Sequence, residues 1–294
     1  MRVTALCTLI LLAAAWLPAA PATVLVAYES GPDAYAEALE GLDAVLGPNA
    51  YRLVDFRGGL GAADVVREMR AKDVRLIVAV GSRVLAEVQS HNPPVPVVAT
   101  MVLRSGQPEV SGGRVDLDVS LAMQLGAMRS VLPKALRVGI VRNPVRSPFS
   151  AESLESRARK EGYTAVVVDC EGPAGLLKAV SALKGKVDFV LCFPDPDLYN
   201  AVTIKPLVLA SLAERLPIVG FSPAFVRAGA AAGVYPDYRE TGRQTAERAQ
   251  RLLRGEDPGA NESPRKIQIA VNQRVAHLLG IDFHIDGLPV EVLK

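Results

Sequence analysis

Short apolar runs rich in Val and Ile, unbroken by alternation, take turns with amphipathic segments along nearly the whole chain. A run of that kind fits a strand covered on both faces, and interleaved helices supply the cover, so the pattern demands a parallel α/β sheet. The strands read Val24–Tyr28, Tyr51–Phe56, Val74–Val80 and Pro96–Met101, with helices over Asp33–Leu46, Ala62–Ala71 and Ser82–Ser90 between them. Asp118 then caps a helix bearing Leu121, Leu125, Met128 and Leu132 on one face, closed by Pro133. The series starts again with strands Leu136–Val141, Thr164–Cys170, Val187–Cys192 and Ile218–Phe221. The first three follow their counterparts by roughly 112 residues, a repeat of topology rather than of letters. Two doubly wound parallel-sheet lobes are therefore expected.

The stretch from Leu216 to Pro258 is the best specified. Ile218 to Phe221 reads as a buried strand, a brief helix follows, and Ala230–Tyr235 is a small-residue strand. Asp237 is placed as N-cap of a long helix, with Glu240 three residues on in capping-box position. Gly242, Ala246, Ala249 and Leu253 share one face, small enough for close approach to a sheet. Gly255 and Pro258 end the helix.

This run, FVRAGA followed by PDYRETGRQTAERAQRLLRG, resembles the substrate-binding proteins of ABC transporters, among them binders of aromatic amino acids. Val80-Gly81-Ser82, Arg142-Asn143-Pro144 and Ala270-Val271-Asn272 agree with it. The resemblance implies a type I periplasmic-binding-protein-like fold, two lobes joined by a hinge. It further implies that residues 230–255 return to the first lobe (23–134), while 256–294 accompany the second (135–229). A small-molecule ligand, an ABC permease as partner, a monomer and no cofactor are the corresponding expectations.

Residues 1–22 read as a cleavable secretory leader, with Arg2 as the charged start, Val3–Leu17 apolar, and Ala20-Pro21-Ala22 as the cut site. The apolar run is shorter than the roughly 20 residues a spanning helix needs, and Cys7 lies too early for a lipid anchor. A periplasmic or other extracytoplasmic protein is expected. The formal charge of +2 is too small to argue for nucleic acid. Cys170 and Cys192 end strands that should flank a third, about 9–10 Å apart at the ~4.8 Å strand spacing. That exceeds the ~7 Å Cα reach of a disulfide, so two buried thiols are expected.

In an open α/β sheet, ligands gather beyond the carboxyl ends of the strands. Those ends offer Tyr28, Gly81, Ser82 and Thr100 in the first half, and Arg142, Asn143, Asp195, Asp197 and Ser222 in the second. Gly81 permits close backbone approach, and Ser82 can cap a helix whose free N–H groups attract a carboxylate; an ordinary N-cap is the plain alternative. Arg142 stands where the resembled family commonly has an aromatic, which favours an anionic ligand over an aromatic one. An arginine paired with a neighbouring acid would explain it equally. Ser222 stands where many relatives carry an acid for a ligand amine. Asp195 and Asp197 could replace that acid, or could simply make an Asp-Pro-Asp turn.

Catalytic motifs are missing from the sequence. His91, His277 and His284 are isolated, without metal-ligand spacing. Gly59-Leu60-Gly61 is followed by Asp64 where a dinucleotide fingerprint needs glycine. The expected function is capture of an amino acid or other small carboxylate between two lobes for delivery to a permease. The alternatives are a sensing module for a membrane receptor and an extracytoplasmic enzyme using the Asp pair or Cys170.

Overall fold

The computed structural model describes residues 24–58, 62–104 and 106–293. The leader over 1–22 and Gly59-Leu60-Gly61 lie outside the described residues. In chain order the elements are β1 (Val24–Tyr28), α1 (Asp33–Leu46), β2 (Tyr51–Asp55), α2 (Ala62–Met69), β3 (Leu76–Val80), α3 (Ser82–Ser90), β4 (Val97–Val102) and β5 (Arg114–Asp116). The second series is α4 (Leu121–Val131), β6 (Arg137–Arg142), α5 (Ala151–Lys160), β7 (Thr164–Asp169), α6 (Leu176–Ser181), β8 (Phe189–Leu191), α7 (Ile204–Glu214), β9 (Ile218–Gly220), α8 (Pro223–Arg227) and β10 (Ala232–Pro236). The chain continues with α9 (Tyr238–Leu253), β11 (Ile267–Asn272), α10 (Gln273–Leu279) and β12 (Val290–Leu293).

Two sheets form, in the orders β2-β1-β3-β4-β5 and β12-β11-β10-β9-β8-β6-β7. Read from β7, the second sheet repeats the order of the first, and every pair in that shared portion is parallel. This is the doubly wound arrangement that the unbroken apolar runs demand, since each sheet is covered on both faces by helices. The first strands recur at a constant offset, Val24, Tyr51 and Leu76 against Arg137, Thr164 and Phe189. Separate apolar clusters fill the faces: Leu42, Val78 and Ala246 on one side of the first sheet, Ile77, Leu85 and Val88 on the other. In the second, Leu125, Ile140 and Phe189 face Leu183, Val190 and Phe225 across the sheet.

Several expectations are corrected. β5 and β12 are strands that sequence patterning missed: β5 is three residues long, and β12 is four residues near the C-terminus. The helix after β5 is capped by Ser120, whose hydroxyl accepts from the Met123 N–H at 3.2 Å, and not by Asp118. Asp237 caps α9 as expected, accepting from the Glu240 N–H at 2.9 Å. Glu240 does not close the box: the Asp237 N–H donates to the Lys266 carbonyl, and the Glu240 carboxylate lies 3.6 Å from Lys266 Nζ.

Residues 230–255 do not cross as one piece. β10 pairs with β9 and antiparallel with β11, so it belongs to the second sheet, and α9 alone crosses to pack on α1 and the first sheet. The apolar strand needs neighbours on both edges, which the second sheet supplies. α9 meets a helix more closely than a sheet. A Cβ on Gly242 would fall 1.9 Å from the Ala38 carbonyl oxygen, and one on Gly41 would fall 1.8 Å from that of Arg239. These two glycines let α1 and α9 touch backbone to backbone.

Candidate functional site

A cleft of about 580 Å³ opens between the two sheets. Its walls come from segments beyond the carboxyl ends of β3, β4 and β5 on one side and β6 and β8 on the other. Two lobes with the same strand order, facing each other, bring those ends together as the parallel topology requires. Phe149, Phe193, Leu103, Leu121 and Leu154 make the walls largely apolar, and Ser82, Arg104, Gln107, Asp118, Asn143 and Asp195 add polar groups.

Of the strand-end candidates, Ser82, Arg142, Asn143 and Asp195 line this cleft. Ser82 is the first residue of α3, and Gly81 occupies the N-cap with no side-chain bond. The Ser82 hydroxyl is therefore not spent on capping and accepts from Gln107 Nε2 at 3.0 Å. Arg142 is engaged elsewhere. Its Nε and Nη2 donate to both carboxylate oxygens of Asp169 at 2.7 and 2.8 Å, and Nη1 donates to the Phe149 carbonyl at 2.9 Å. This bidentate bond holds the Asp169 carboxyl below its usual range. Arg142 thus braces the loop that presents Phe149, the role of an arginine paired with a neighbouring acid. Asn143 is buried and shapes the same loop, its Oδ1 accepting from the Val145 N–H at 3.1 Å. Asp195 Oδ1 accepts from the N–H groups of Asp197 and Leu198 at 2.8 and 3.2 Å, the turn that an Asp-Pro-Asp sequence offers.

Five candidates are placed outside the lining. Asp197 is ion-paired with Arg146. Thr100 is buried under α9, its hydroxyl 2.8 Å from that of Thr245. Gly81, at φ 91°, donates its N–H to the Thr100 carbonyl, and a Cβ there would fall 2.3 Å from the Tyr35 hydroxyl. Tyr28 packs into the first-sheet core. Ser222 caps α8, accepting from the Phe225 N–H at 3.2 Å. β1 and β9 end away from the cleft because the β3–β5 edge of one sheet faces β6 and β8 of the other.

Sequence reasoning missed the aromatic walls. Phe149 and Phe193 each stand beside a proline just beyond a strand end, in Ser147-Pro148-Phe149 and Phe193-Pro194-Asp195, and that placement was the available signal. The Arg157 guanidinium lies over the Phe149 ring, 4.5 Å from its centroid. The absence of an aromatic at position 142 therefore does not deprive the cleft of aromatic faces. Arg104 and Asp118 were missed because β5 was. Arg104 Nε donates to the buried Asp116 at 3.3 Å, and Nη2 donates to the Ser263 hydroxyl at 3.0 Å. Asp118, relieved of capping, accepts the Arg104 N–H at 2.6 Å; burial pushes its carboxyl above the usual range.

Among the described residues that line the cleft, none is arranged as a nucleophile with its base. The Cys192 thiol is buried and pushed up to about 12 by desolvation, so it stays protonated at neutral pH. Cys170 donates to the Gly172 carbonyl at 3.1 Å beside a separate, shallow depression. β6 runs between the two cysteine strands, and both thiols are free and buried. His91 Nε2 lies 3.1 Å from Glu87 Oε1. Among the described residues no cluster of His, Cys, Asp or Glu could hold a metal ion, and no helix is long and apolar enough to cross a membrane. The cleft can hold and orient a small molecule.

Comparison with known proteins agrees with that geometry. The chain is 30% identical over 169 residues to a tyrosine-binding protein of Clostridioides difficile (strain R20291), covering 56% of this chain and 48% of that one. The match thus spans about half the length of the curated relative. The fold is similar to the ligand-free, open structure of a substrate binding protein with adhesive properties from Clostridium difficile, at TM-score 0.67, 18% identity and coverage of 92% and 98%. It is also similar to an ABC domain in complex with L-Trp from Streptococcus pneumonia, at TM-score 0.57, 18% identity and coverage of 92% and 99%. Residues 57–286 match the family described as ABC transporter substrate binding protein, and with most of its length inside that match the chain belongs to this family.

Proposed function

We propose that the protein captures a small amino acid, or a carboxylate of similar size, outside the cytoplasm and delivers it to an ABC permease. The observation that carries this reading is the interlobe cleft, lined from both sheets at their strand ends and furnished with two phenylalanines beside polar groups. Its size suits a ligand of that class. The names of the tyrosine-binding relative and of the L-Trp complex support an amino acid, and Phe149 and Phe193 favour one with an apolar side chain. The exposed N–H groups at the start of α3, next to Ser82, would take the carboxylate.

The lobes we assign are residues 24–116 together with α9 and the segment to Glu262, and residues 121–236 together with 267–293. The crossings between them, at 117–120, 236–237 and 263–266, would act as the hinge. Closure about such a hinge would bury the ligand and present both lobes to the permease. Native mass spectrometry of protein purified from an envelope fraction, followed by calorimetry, tests this. An adduct of amino-acid mass that re-binds the emptied protein is the expected result. Failure of all standard amino acids and small carboxylates to bind would overturn it.

A further inference from the structure

We infer that Asp118, on the segment crossing between the lobes, is the carboxylate that receives the ligand's ammonium group. This rests on the reading of the cleft as an amino-acid site. Each neighbouring acid is already engaged. Asp169 is held bidentately by Arg142, and Asp197 by Arg146. Asp116 pairs with both Arg104 and Arg114. Asp195 accepts two backbone N–H groups and lies in the field of Arg146.

Asp118 differs in kind. It lines the cleft and accepts the Arg104 N–H through Oδ2; among the described residues it forms no ion pair. The Arg104 guanidinium turns instead to Asp116 and Ser263. Among the described residues this partly desolvated carboxylate has no ion-pair partner, and the Arg104 charge only partly offsets its burial and the acid two residues away. A cationic N–H donor from the ligand would supply both the charge and the missing hydrogen bonds. Ser222, the position where an acid had been sought, is occupied in capping α8. The acid therefore sits on the crossing segment, where a bound ammonium would touch the part of the chain that must bend when the lobes close.

The test is calorimetry of wild type and Asp118→Asn with each of the twenty standard L-amino acids. Whichever amino acid binds is then compared with its des-amino acid, the same molecule lacking the ammonium. Asn at position 118 keeps an oxygen for the Arg104 N–H, and melting curves check that the variant is folded. The expected result is a loss of at least about thirty-fold on Asp118→Asn, a similar loss for the des-amino acid on wild type, and no further loss when the two are combined. Unchanged affinity of Asp118→Asn, or a des-amino acid that binds wild type as well as the amino acid does, would overturn the assignment and leave the amino-acid reading intact. If no amino acid bound wild type, the amino-acid reading would itself fail and this assignment with it.

Discussion

Arg248 offers the sharpest test of how the first lobe is held together. Its side chain is fully buried on α9. Nε donates to the Gly112 carbonyl at 2.6 Å, Nη1 to the Ala260 carbonyl and to Glu262 Oε1, both at 3.0 Å, and Nη2 to the Gly259 carbonyl at 3.2 Å. One guanidinium therefore ties the helix to the strand-end loop before β5 and to the return segment 259–262. That segment pairs with β5 in turn, because the Asp116 N–H donates to the Glu262 carbonyl and the Glu262 N–H to that of Arg114. Arg248→Ala would strand the buried Gly112 carbonyl and remove a partner from Glu262, which keeps Arg251 at 2.5 Å. The Gly259 and Ala260 carbonyls reach solvent, so the cost falls mainly on the first two contacts. Breaking a buried charge pair typically costs about 3–5 kcal/mol, and the surviving Arg251 contact places this case at the lower end, about 3 kcal/mol. Urea denaturation followed by circular dichroism should show a lower midpoint at unchanged slope. Arg248→Lys should recover little, since one ammonium cannot span both loops. A loss below about 1 kcal/mol for Arg248→Ala would refute the claim that this contact holds α9 to β5.

Two further outcomes follow from the geometry. Gly242→Ala would favour an isolated helix by about 0.5–1 kcal/mol, yet here it should lower stability by about 1–3 kcal/mol because the new Cβ meets the Ala38 backbone; a higher melting temperature would disprove the backbone contact between α1 and α9. Arg142→Ala should weaken ligand binding only through the loop that presents Phe149, so its effect and that of Phe149→Ala should be strongly non-additive; additive losses in a calorimetric cycle would point to a direct Arg142–ligand contact.

Local chemistry was enough to write much of this protein in its sequence. Unbroken runs such as Leu76–Val80 can only be strands covered on both faces, so parallel α/β architecture and its duplication follow from hydrophobic pattern alone. The Asp237 cap and the left-handed Gly255 are read the same way, because each bond closes within a few residues. Where a side chain has competing partners, the sequence does not say which it takes. Asp118 and Ser120 are both good caps, and the path of the chain leaving β5 gave the helix to Ser120 and the cleft to Asp118. Arg142 was legible as a cleft arginine, but its bond to Asp169 depends on β6 and β7 lying side by side with Arg142 opposite Asp169. β5 is too short to show a pattern, and it forms because β4 and the Glu262 backbone flank it. Arg248 sits on a helix whose other arginines are exposed or half-buried, and only the packing of α9 against two loops from elsewhere in the chain buries it. Periodicity determined the elements; contacts between residues far apart in sequence decided which polar groups were left to meet a ligand.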